Sequence, residues 1–128
     1  MDKCACRGSF LERFLQPSIL MLLVKEDLHG FSILKRLYKN EVMDYSSLDP
    51  TGLYRTLKKM EESRLLTSEI DTENLIQPKR IYKITEEGKI CLIFWKDTLI
   101  DYRKRIDSLV FAVTDAVKDL TEFYDNTL

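Results

Sequence analysis

The sequence predicts a mainly α-helical domain with one small β-hairpin, an α+β fold, followed by a long C-terminal helix. Three observations indicate this arrangement. Residues 49–63 have the spacing of an amphipathic helix, and residues 66–84 change to an alternation with period two. Residues 86–128 then repeat apolar side chains at intervals of three and four, with no proline and, after Gly88, no glycine.

Length and composition limit the classes of protein to consider. A chain of 128 residues is long enough for one domain with a modest core, and 45% hydrophobic with 32% charged residues is ordinary for a globular protein. No apolar run approaches the roughly 18 residues of a transmembrane helix, so we expect a cytoplasmic protein that does not enter membranes. A formal net charge of −1 argues against indiscriminate nucleic-acid binding but leaves room for a local basic patch.

The N-terminal residues and the cysteines give little indication of chemistry. Residues 1–8 are predicted to be a mobile tail. Cys4 and Cys6 could supply two thiolates, but a closed zinc site needs four ligands and His29 is the only histidine. With Cys91, the cysteines number three, which favours free thiols over a disulfide framework. We therefore expect no metal and no cofactor.

Two helices are predicted before residue 27. The capping box from Ser9 to Glu12 predicts a short helix over residues 10–15. Pro17 is expected to be the first residue of a second helix that ends near Glu26. This second helix is apolar on nearly all sides, so we expect it to be buried between the domain and a neighbour.

A third helix is expected from about Phe31 to Asn40. Its apolar residues recur at helical spacing, and its outer side carries the cations Lys35, Arg36 and Lys39. We interpret His29, just before this helix, as a capping or core residue, because the sequence places no nucleophile near it.

The helix over residues 50–60 is the candidate recognition helix. Asp49 can cap its first N–H groups, and Pro50 suits the first turn, where its missing donor has no cost. The apolar back consists of Leu53, Leu57 and Met60, whereas the front carries Thr51, Arg55, Lys58 and, on its flank, Lys59. Such a helix can be attached to a small core and offered to a DNA groove.

Two short strands follow, over residues 66–70 and 80–84, joined by a loop over residues 71–78. Helix, helix and hairpin in this order predict a winged helix-turn-helix. The hairpin, or wing, carries acidic residues toward its tip, namely Glu69, Asp71 and Glu73, which should repel phosphate. We therefore place wing contacts at its base, on Lys79 and Arg80.

The last predicted helix is capped by Thr85 and has the heptad pattern of a coiled coil. One heptad position holds Leu92, Leu99, Ile106, Val113 and Leu120, and the other holds Trp95, Tyr102, Leu109, Ala116 and Phe123. So large an apolar face cannot be buried on a domain this small, so we infer homodimerisation through it and through the apolar helix that ends near Glu26. The predicted division is a DNA-binding domain over residues 9–85 and a coiled-coil-like dimerisation helix over residues 86–128.

Three motifs resemble the PadR family of bacterial transcriptional regulators. Residues 29–33 (HGFSI), 53–57 (LYRTL) and 82–88 (YKITEEG) match that family's H-G-Y, L-Y-x-x-L and Y-x-(I/L)-T-x-x-G patterns in order and at similar distances. The resemblance covers about residues 15–90. It implies a homodimeric winged helix that binds an inverted-repeat operator and represses until a small molecule releases it. The N-terminal segment also resembles, more distantly, a subgroup of polyhydroxybutyrate-responsive repressors.

One departure from the family pattern concerns a turn. Arg64 stands where family members commonly have glycine, between the recognition helix and the first wing strand. We therefore expect an altered or strained turn at Arg64.

The functional hypothesis is a sequence-specific regulator that binds a double-stranded DNA operator. Thr51, Arg55 and Lys58 are expected nearest the base edges, because arginine can read guanine through two hydrogen bonds. Tyr54 lies at the border of the two faces, where core packing and a phosphate hydrogen bond are both open. Phosphate contacts are assigned to Lys35, Lys59, Lys79 and Arg80.

Regulation would act through the dimer. Phe94, Trp95 and Tyr102, near the start of the apolar seam, could bind a flat apolar or aromatic effector; alternatively, they simply pack the dimer. Two other functions compete with the hypothesis: a winged helix that binds an acidic protein partner, and a thiol-dependent enzyme using Cys91 or Cys4. The sequence places no base near either thiol, so we predict that the protein is not an enzyme.

Overall fold

The computed structural model describes residues 11–40, 42–73, 76 and 79–127, and its elements follow the predicted order. The tail predicted over residues 1–8, with Cys4, Cys6 and the capping residue Ser9, lies outside this range. A short 3-10 helix (Leu11–Phe14) precedes α1 (Leu15–Lys25), β1 (Leu28–His29), α2 (Gly30–Tyr38), α3 (Pro50–Glu62), β2 (Leu66–Asp71), β3 (Lys79–Ile84) and α4 (Glu86–Thr127). The predicted α+β winged helix-turn-helix is confirmed.

The wing is part of a three-stranded antiparallel sheet with the order β1-β3-β2. Its hairpin runs in register from Leu66 opposite Ile84 to Asp71 opposite Lys79. β1, which pairs Leu28 with Tyr82, was not predicted from the sequence. Two residues are too few to show an alternation, and only pairing with β3 defines them as a strand.

The chain divides into two compact units, Met1–Ile93 and Phe94–Leu128. The core of the first unit comes from all three short helices and the sheet. Six of its aliphatic side chains are fully buried, namely Ile19, Leu20, Ile33, Leu37, Leu53 and Leu57. Burial of each such side chain contributes about 1.5–3 kcal/mol, so α1, α2 and α3 are held mainly by this shared core rather than by helix propensity.

A buried polar chain ties the loop before α3 to α1. The Ser18 hydroxyl donates to the Phe14 carbonyl at 2.8 Å and lies 2.7 Å from the Tyr45 hydroxyl. Because a serine has one hydroxyl proton, Tyr45 must be the donor to Ser18. Burial raises the pKa of Tyr45, which keeps it a neutral donor. This bond anchors the loop from which the recognition helix begins.

Two details of the helices differ from the predictions. Pro17 is the third residue of α1 rather than its first, because the 3-10 helix leads into α1 without a break. The position is tolerated because the first four N–H groups of a helix have no intrahelical partner.

Phe31 has helical spacing with the core residues of α2, but 55% of its surface is exposed. Val24, at 45% exposure, leaves one side of α1 open, and the expectation that a neighbour covers this side stays a prediction.

The turn between α3 and the wing is strained as expected. Arg64 has a φ of 64°, a left-handed conformation that favours glycine. The turn is held by a bond from the Leu65 N–H to the Met60 carbonyl at 2.9 Å and by one from the Thr85 hydroxyl to the Arg64 carbonyl at 2.6 Å. Gly88 packs so closely against the same turn that a Cβ on this residue would collide with the Leu65 carbonyl oxygen.

The second unit consists of the later part of α4, a helix of 42 residues in all. The predicted cap is present, since the Gly88 N–H donates to the Thr85 hydroxyl at 2.9 Å. The apolar residues of the second unit are widely exposed in the single chain. They include Ile106 (51%), Leu109 (62%), Phe111 (78%), Val113 (49%) and Leu120 (53%). Within the described residues, no helix is long and apolar enough to cross a membrane.

Candidate nucleic-acid interface

The recognition helix α3 begins with the predicted N-terminal cap and proline. The Asp49 carboxylate accepts a hydrogen bond from the Thr51 N–H at 3.2 Å, and Pro50 is the first helical residue. Because proline lacks an N–H, it loses nothing at this position, and the carboxylate satisfies one of the remaining donors. The start of the helix is thus determined by residues 49–51.

The two faces of α3 separate as the sequence predicts. Leu53 and Leu57 are completely buried and Met60 is 1% exposed. The front is exposed and carries Thr51, Tyr54, Arg55, Lys58 and Lys59. Three cations and two hydroxyls therefore project from a helix whose back is anchored in the core, and no acidic residue interrupts this front before Glu61.

Tyr54 packs against the start of α2 and is also accessible. It is 44% exposed, and a Cβ on Gly30 would come within 2.7 Å of its ring. A glycine at position 30 is what permits this close approach. The ring therefore packs on Gly30 without entering the core, and a phosphate hydrogen bond by the hydroxyl remains a prediction.

Lys35 lies on the exposed side of α2. Its ammonium nitrogen is 5.2 Å from the centroid of the Phe31 ring, within the range of a cation–π interaction. With Arg36 and Lys39 it also lines a groove between α1 and α2. The predicted cationic outer side of α2 is confirmed. The exposed Phe31 ring makes a cation–π contact with one of these cations, Lys35.

The placement of Lys79 and Arg80 at the base of the wing is wrong. Lys79 is opposite Asp71 in the last pair before the loop, and Arg80 is opposite Ile70. Both residues therefore lie at the tip end of the ladder. Because successive residues of a strand point to opposite faces, their side chains also leave the sheet on different sides.

One face of the wing holds Glu69 in an ion pair and Asp71 in a hydrogen bond. Glu69 is 3.1 Å from Lys83, and this hydrogen bond raises the pKa of Lys83. Asp71 is 3.0 Å from His29, and a bond from the Glu73 N–H, followed by the His29 bond, lowers the pKa of Asp71. His29 is the N-cap residue of α2, as one of the two predicted alternatives had it, but its side chain makes no capping hydrogen bond and lies outside the core. Instead, the side chain joins β1 to the end of β2.

The opposite face of the wing contains a network that the sequence analysis missed. The Ser68 hydroxyl donates to the Glu61 carboxylate at 2.6 Å, and Arg80 Nη1 donates to the same hydroxyl at 3.0 Å. Burial, followed by the nearby Glu61 charge, raises the pKa of the adjacent Tyr82. Only Ser68 could have been singled out from the sequence, since it is the polar member of the otherwise apolar alternation from Leu66 to Ile70; its partners come from other elements.

Comparison with known proteins identifies the family. The chain matches the model of the transcriptional regulator PadR-like family over residues 19–92, more than half of its length. The chain belongs to the PadR-like family. A search of curated proteins gave no significant match.

Solved structures agree with this assignment. A PadR family transcription regulator from Clostridium difficile R20291 is 24% identical, with a TM-score of 0.65 and coverage of 76% of this chain and 98% of that chain. A PadR-like regulator from Bacillus cereus is 20% identical, with a TM-score of 0.66 and coverage of 78% and 94%. Bacillus subtilis PadR in complex with operator DNA is 28% identical, with a TM-score of 0.55 and coverage of 65% and 45%.

Family membership decides the general function. PadR-like proteins are DNA-binding transcriptional regulators rather than enzymes, so this protein is a DNA-binding transcriptional regulator. The prediction that it is not an enzyme is confirmed on this ground, and the alternative of a thiol-dependent enzyme is excluded. Cys91, for its part, lies 3.7 Å from Gln16 Oε1 and is half-buried in α4.

Proposed function

We propose that this PadR-like protein is a repressor that binds an inverted-repeat operator as a homodimer and is released by a small-molecule effector. The observation that carries the proposal is the front of α3. Its cations and hydroxyls are exposed along a helix whose apolar back is completely buried. A helix held in this way can enter a major groove without losing its own packing.

The residues of the front have different proposed roles. Thr51, Arg55 and Lys58 contact base edges, with Arg55 donating two hydrogen bonds to a guanine. Lys59 and the Tyr54 hydroxyl contact phosphate beside them. Outside α3, phosphate contacts come from Lys35 on α2 and from Lys79 and Arg80 at the tip end of the wing.

The experiment that tests this proposal is a footprint of the purified protein on the DNA upstream of its own gene, repeated across salt concentrations. We expect a protected inverted repeat, with the logarithm of affinity falling by about 0.9 per phosphate contact for each tenfold rise in salt. A dimer that protects no DNA there or in a genome-wide pull-down, but retains an acidic protein, would overturn the proposal in favour of the protein-binding alternative.

The role of Arg55 can be tested directly. Arg55→Ala should lower discrimination at one operator position by about 1–3 kcal/mol, because the bidentate contact to guanine is lost. The measurement is binding to a set of single-base operator variants. Lys104→Ala, which removes an exposed cation from α4, is the matched control and should leave the profile unchanged. Uniform weakening of all variants would show that Arg55 contacts phosphate instead.

Homodimerisation is proposed through α4. The interface residues are the heptad positions Leu92, Trp95, Leu99, Tyr102, Ile106, Leu109, Val113 and Leu120. Leu99 and Tyr102 are 38% and 42% exposed in the single chain, and the later positions are more exposed still. An apolar surface of this length is unfavourable in water, and a second copy offers the same stripe for coiled-coil packing.

An effector site is proposed beside the same seam, formed by Phe94, Trp95 and Tyr102. Phe94 is 66% exposed in the single chain, so any enclosed pocket here requires the second copy. A flat apolar or aromatic compound bound at this place would favour one dimer geometry and thereby change the spacing of the recognition helices.

The effector proposal is testable because Trp95 is the only tryptophan. Aromatic compounds should change its fluorescence in a saturable way and should weaken binding to the protected DNA in the same concentration range. If a panel of such compounds leaves both signals unchanged, the three aromatic residues only pack the dimer.

A further inference from the structure

A hydrogen-bonded chain joins the last turn of α3 to the wing. Glu61 lies on α3, Ser68 on β2 and Arg80 on β3, so the chain crosses three elements of the first unit. The two bonds measure 2.6 Å and 3.0 Å, both within the normal range. No other described side-chain hydrogen bond joins α3 to the wing.

The chemistry of the serine makes it the link between the two charged groups. A hydroxyl has one proton and two lone pairs, so Ser68 donates to Glu61 and accepts from Arg80 at the same time. Bonds to ionised groups are stronger than neutral ones, and both bonds of Ser68 are of this kind. Removing the hydroxyl would therefore release both Glu61 and Arg80.

Arg80 has donors to spare in this arrangement. A guanidinium carries five N–H donors in a rigid planar fork, and the bond to Ser68 uses one of them. Arg80 is exposed and makes no ion pair with Glu61 within 4.0 Å among the described residues. The serine thus orients the guanidinium while leaving most of its donors and its charge available to another anion.

We propose that Glu61 and Ser68 are positioning residues that hold Arg80 against a backbone phosphate of the DNA bound by α3. The inference rests on the proposed function and adds a mechanism to it. The three side chains hold the wing in position relative to α3, so Arg80 and the recognition helix meet the same DNA together. An arginine whose rotamer is already restricted loses less conformational entropy on binding, and its affinity for phosphate rises accordingly.

The test is a double-mutant cycle with a duplex selected by the wild-type protein from a randomised pool. Arg80→Ala should weaken binding about tenfold or more and reduce the salt slope by about 0.9 per protomer, which is about 1.8 for a homodimer that loses one phosphate contact in each half-site. Ser68→Ala should weaken binding about three- to tenfold in the wild-type background. It should have no effect in the Arg80→Ala background, because the two residues act as one unit.

Glu61→Ala distinguishes the positioning role of Glu61 from simple electrostatic repulsion, because the two predict changes in DNA affinity of opposite sign. Removing an acidic residue near DNA should by itself tighten binding, since repulsion is reduced. The positioning role predicts weaker binding instead. Glu62→Ala removes the exposed neighbouring carboxylate and is the matched control, which should bind as tightly as the wild type or more tightly.

Two further variants separate positioning from folding. Thr67→Ala removes an exposed hydroxyl from the opposite face of β2 and should bind normally. Ser68→Thr retains the hydroxyl on a residue suited to a strand and should restore most of the affinity lost in Ser68→Ala. Ethylation of single phosphates should interfere with wild-type binding at several positions, and in Arg80→Ala the interference at one of these positions in each half-site should be lost.

The outcomes distinguish this inference from the function on which it rests. If the wild-type protein selects no duplex, the proposed function and the positioning role both fail. Equal or additive losses for Ser68→Ala in the two backgrounds, with a wild type that binds, would overturn the positioning role alone. A loss in Arg80→Ala that depends on one base pair would replace the phosphate contact with a base contact.

Discussion

The apolar stripe of α3 and that of α4 have the same helical spacing but opposite surroundings. Leu57 on α3 is completely buried by the other elements of the first unit, whereas Ile106 on α4 is 51% exposed. The contrast shows that an amphipathic pattern specifies a face to be covered, and not what covers it. The first unit covers its own face, and we propose that α4 is covered by a second copy.

Ile106→Asp tests whether the apolar face of α4 is a dimer interface. If the α4 face is a dimer interface, each copy of the variant buries an unpaired charge at a cost of about 3–5 kcal/mol, so the dimer dissociation constant should rise by at least about a hundredfold. Sedimentation over a range of concentrations measures it. Lys104→Asp, at the opposite side of the heptad, is the control and should leave the association state unchanged.

A second substitution tests the face that the chain covers by itself. Leu57→Ala should lower the free energy of unfolding by about 2–5 kcal/mol, because it leaves a cavity in a closely packed core. Denaturant unfolding gives this value, and the exposed neighbour Lys58→Ala should change it by less than about 0.5 kcal/mol. A small loss for Leu57→Ala would mean that the first unit, like α4, depends on a partner for its core.

Within the first unit, the stability contributed by a side-chain hydrogen bond should also depend on how deeply the bond is buried. Tyr45→Phe removes the buried hydroxyl that donates to Ser18 and should cost about 1 kcal/mol of unfolding free energy. Tyr38→Phe removes a similar bond, 2.8 Å long to the Leu48 carbonyl, from a residue that is 39% exposed. Thermal unfolding of both variants should show the larger loss for Tyr45→Phe; equal losses would show that burial does not set the value of these bonds.

The smallest expected effect concerns the turn at Arg64. Arg64→Gly should raise the free energy of unfolding by up to about 1 kcal/mol, because relief of the left-handed strain exceeds the entropy gained by the unfolded chain. Ser63, whose φ is −83°, has no such strain. Ser63→Gly should therefore destabilise the protein by about 0.5–1 kcal/mol, and a gain in both variants would contradict the explanation by strain.

Much of the architecture could be predicted from local patterns. The spacing of Leu53, Leu57 and Met60 predicts the buried back of α3, and the residues between them predict its exposed front. Asp49 and Thr85 predict the starts of α3 and α4, because a capping bond forms within three residues of the cap. The unusual turn at Arg64 could be anticipated only from the resemblance to a family that commonly has glycine there.

Features that depend on strand pairing could not be predicted in this way. The assignment of Lys79 and Arg80 to the base of the wing was a different kind of error. Residues that directly follow a hairpin loop lie at its tip end, and the base was chosen only because the acidic tip should repel phosphate. The strand register, in contrast, pairs Leu28 of β1 with Tyr82. It also brings His29 to Asp71, which are 42 residues apart along the chain. Such contacts depend on how β1, β2 and β3 align, and the sequence of one strand does not state its register with another.

The helices, the hairpin of the wing, the faces of these elements and the family could be recognised from the sequence, whereas β1 could not. Each of these depends on side-chain periodicity, capping or short motifs within about a dozen neighbouring residues. The tertiary structure alone decided that Ser68 links Glu61 to Arg80 and that Tyr54 packs on Gly30. These contacts join residues from different elements, so they exist only once the core has fixed α2, α3 and the wing in place.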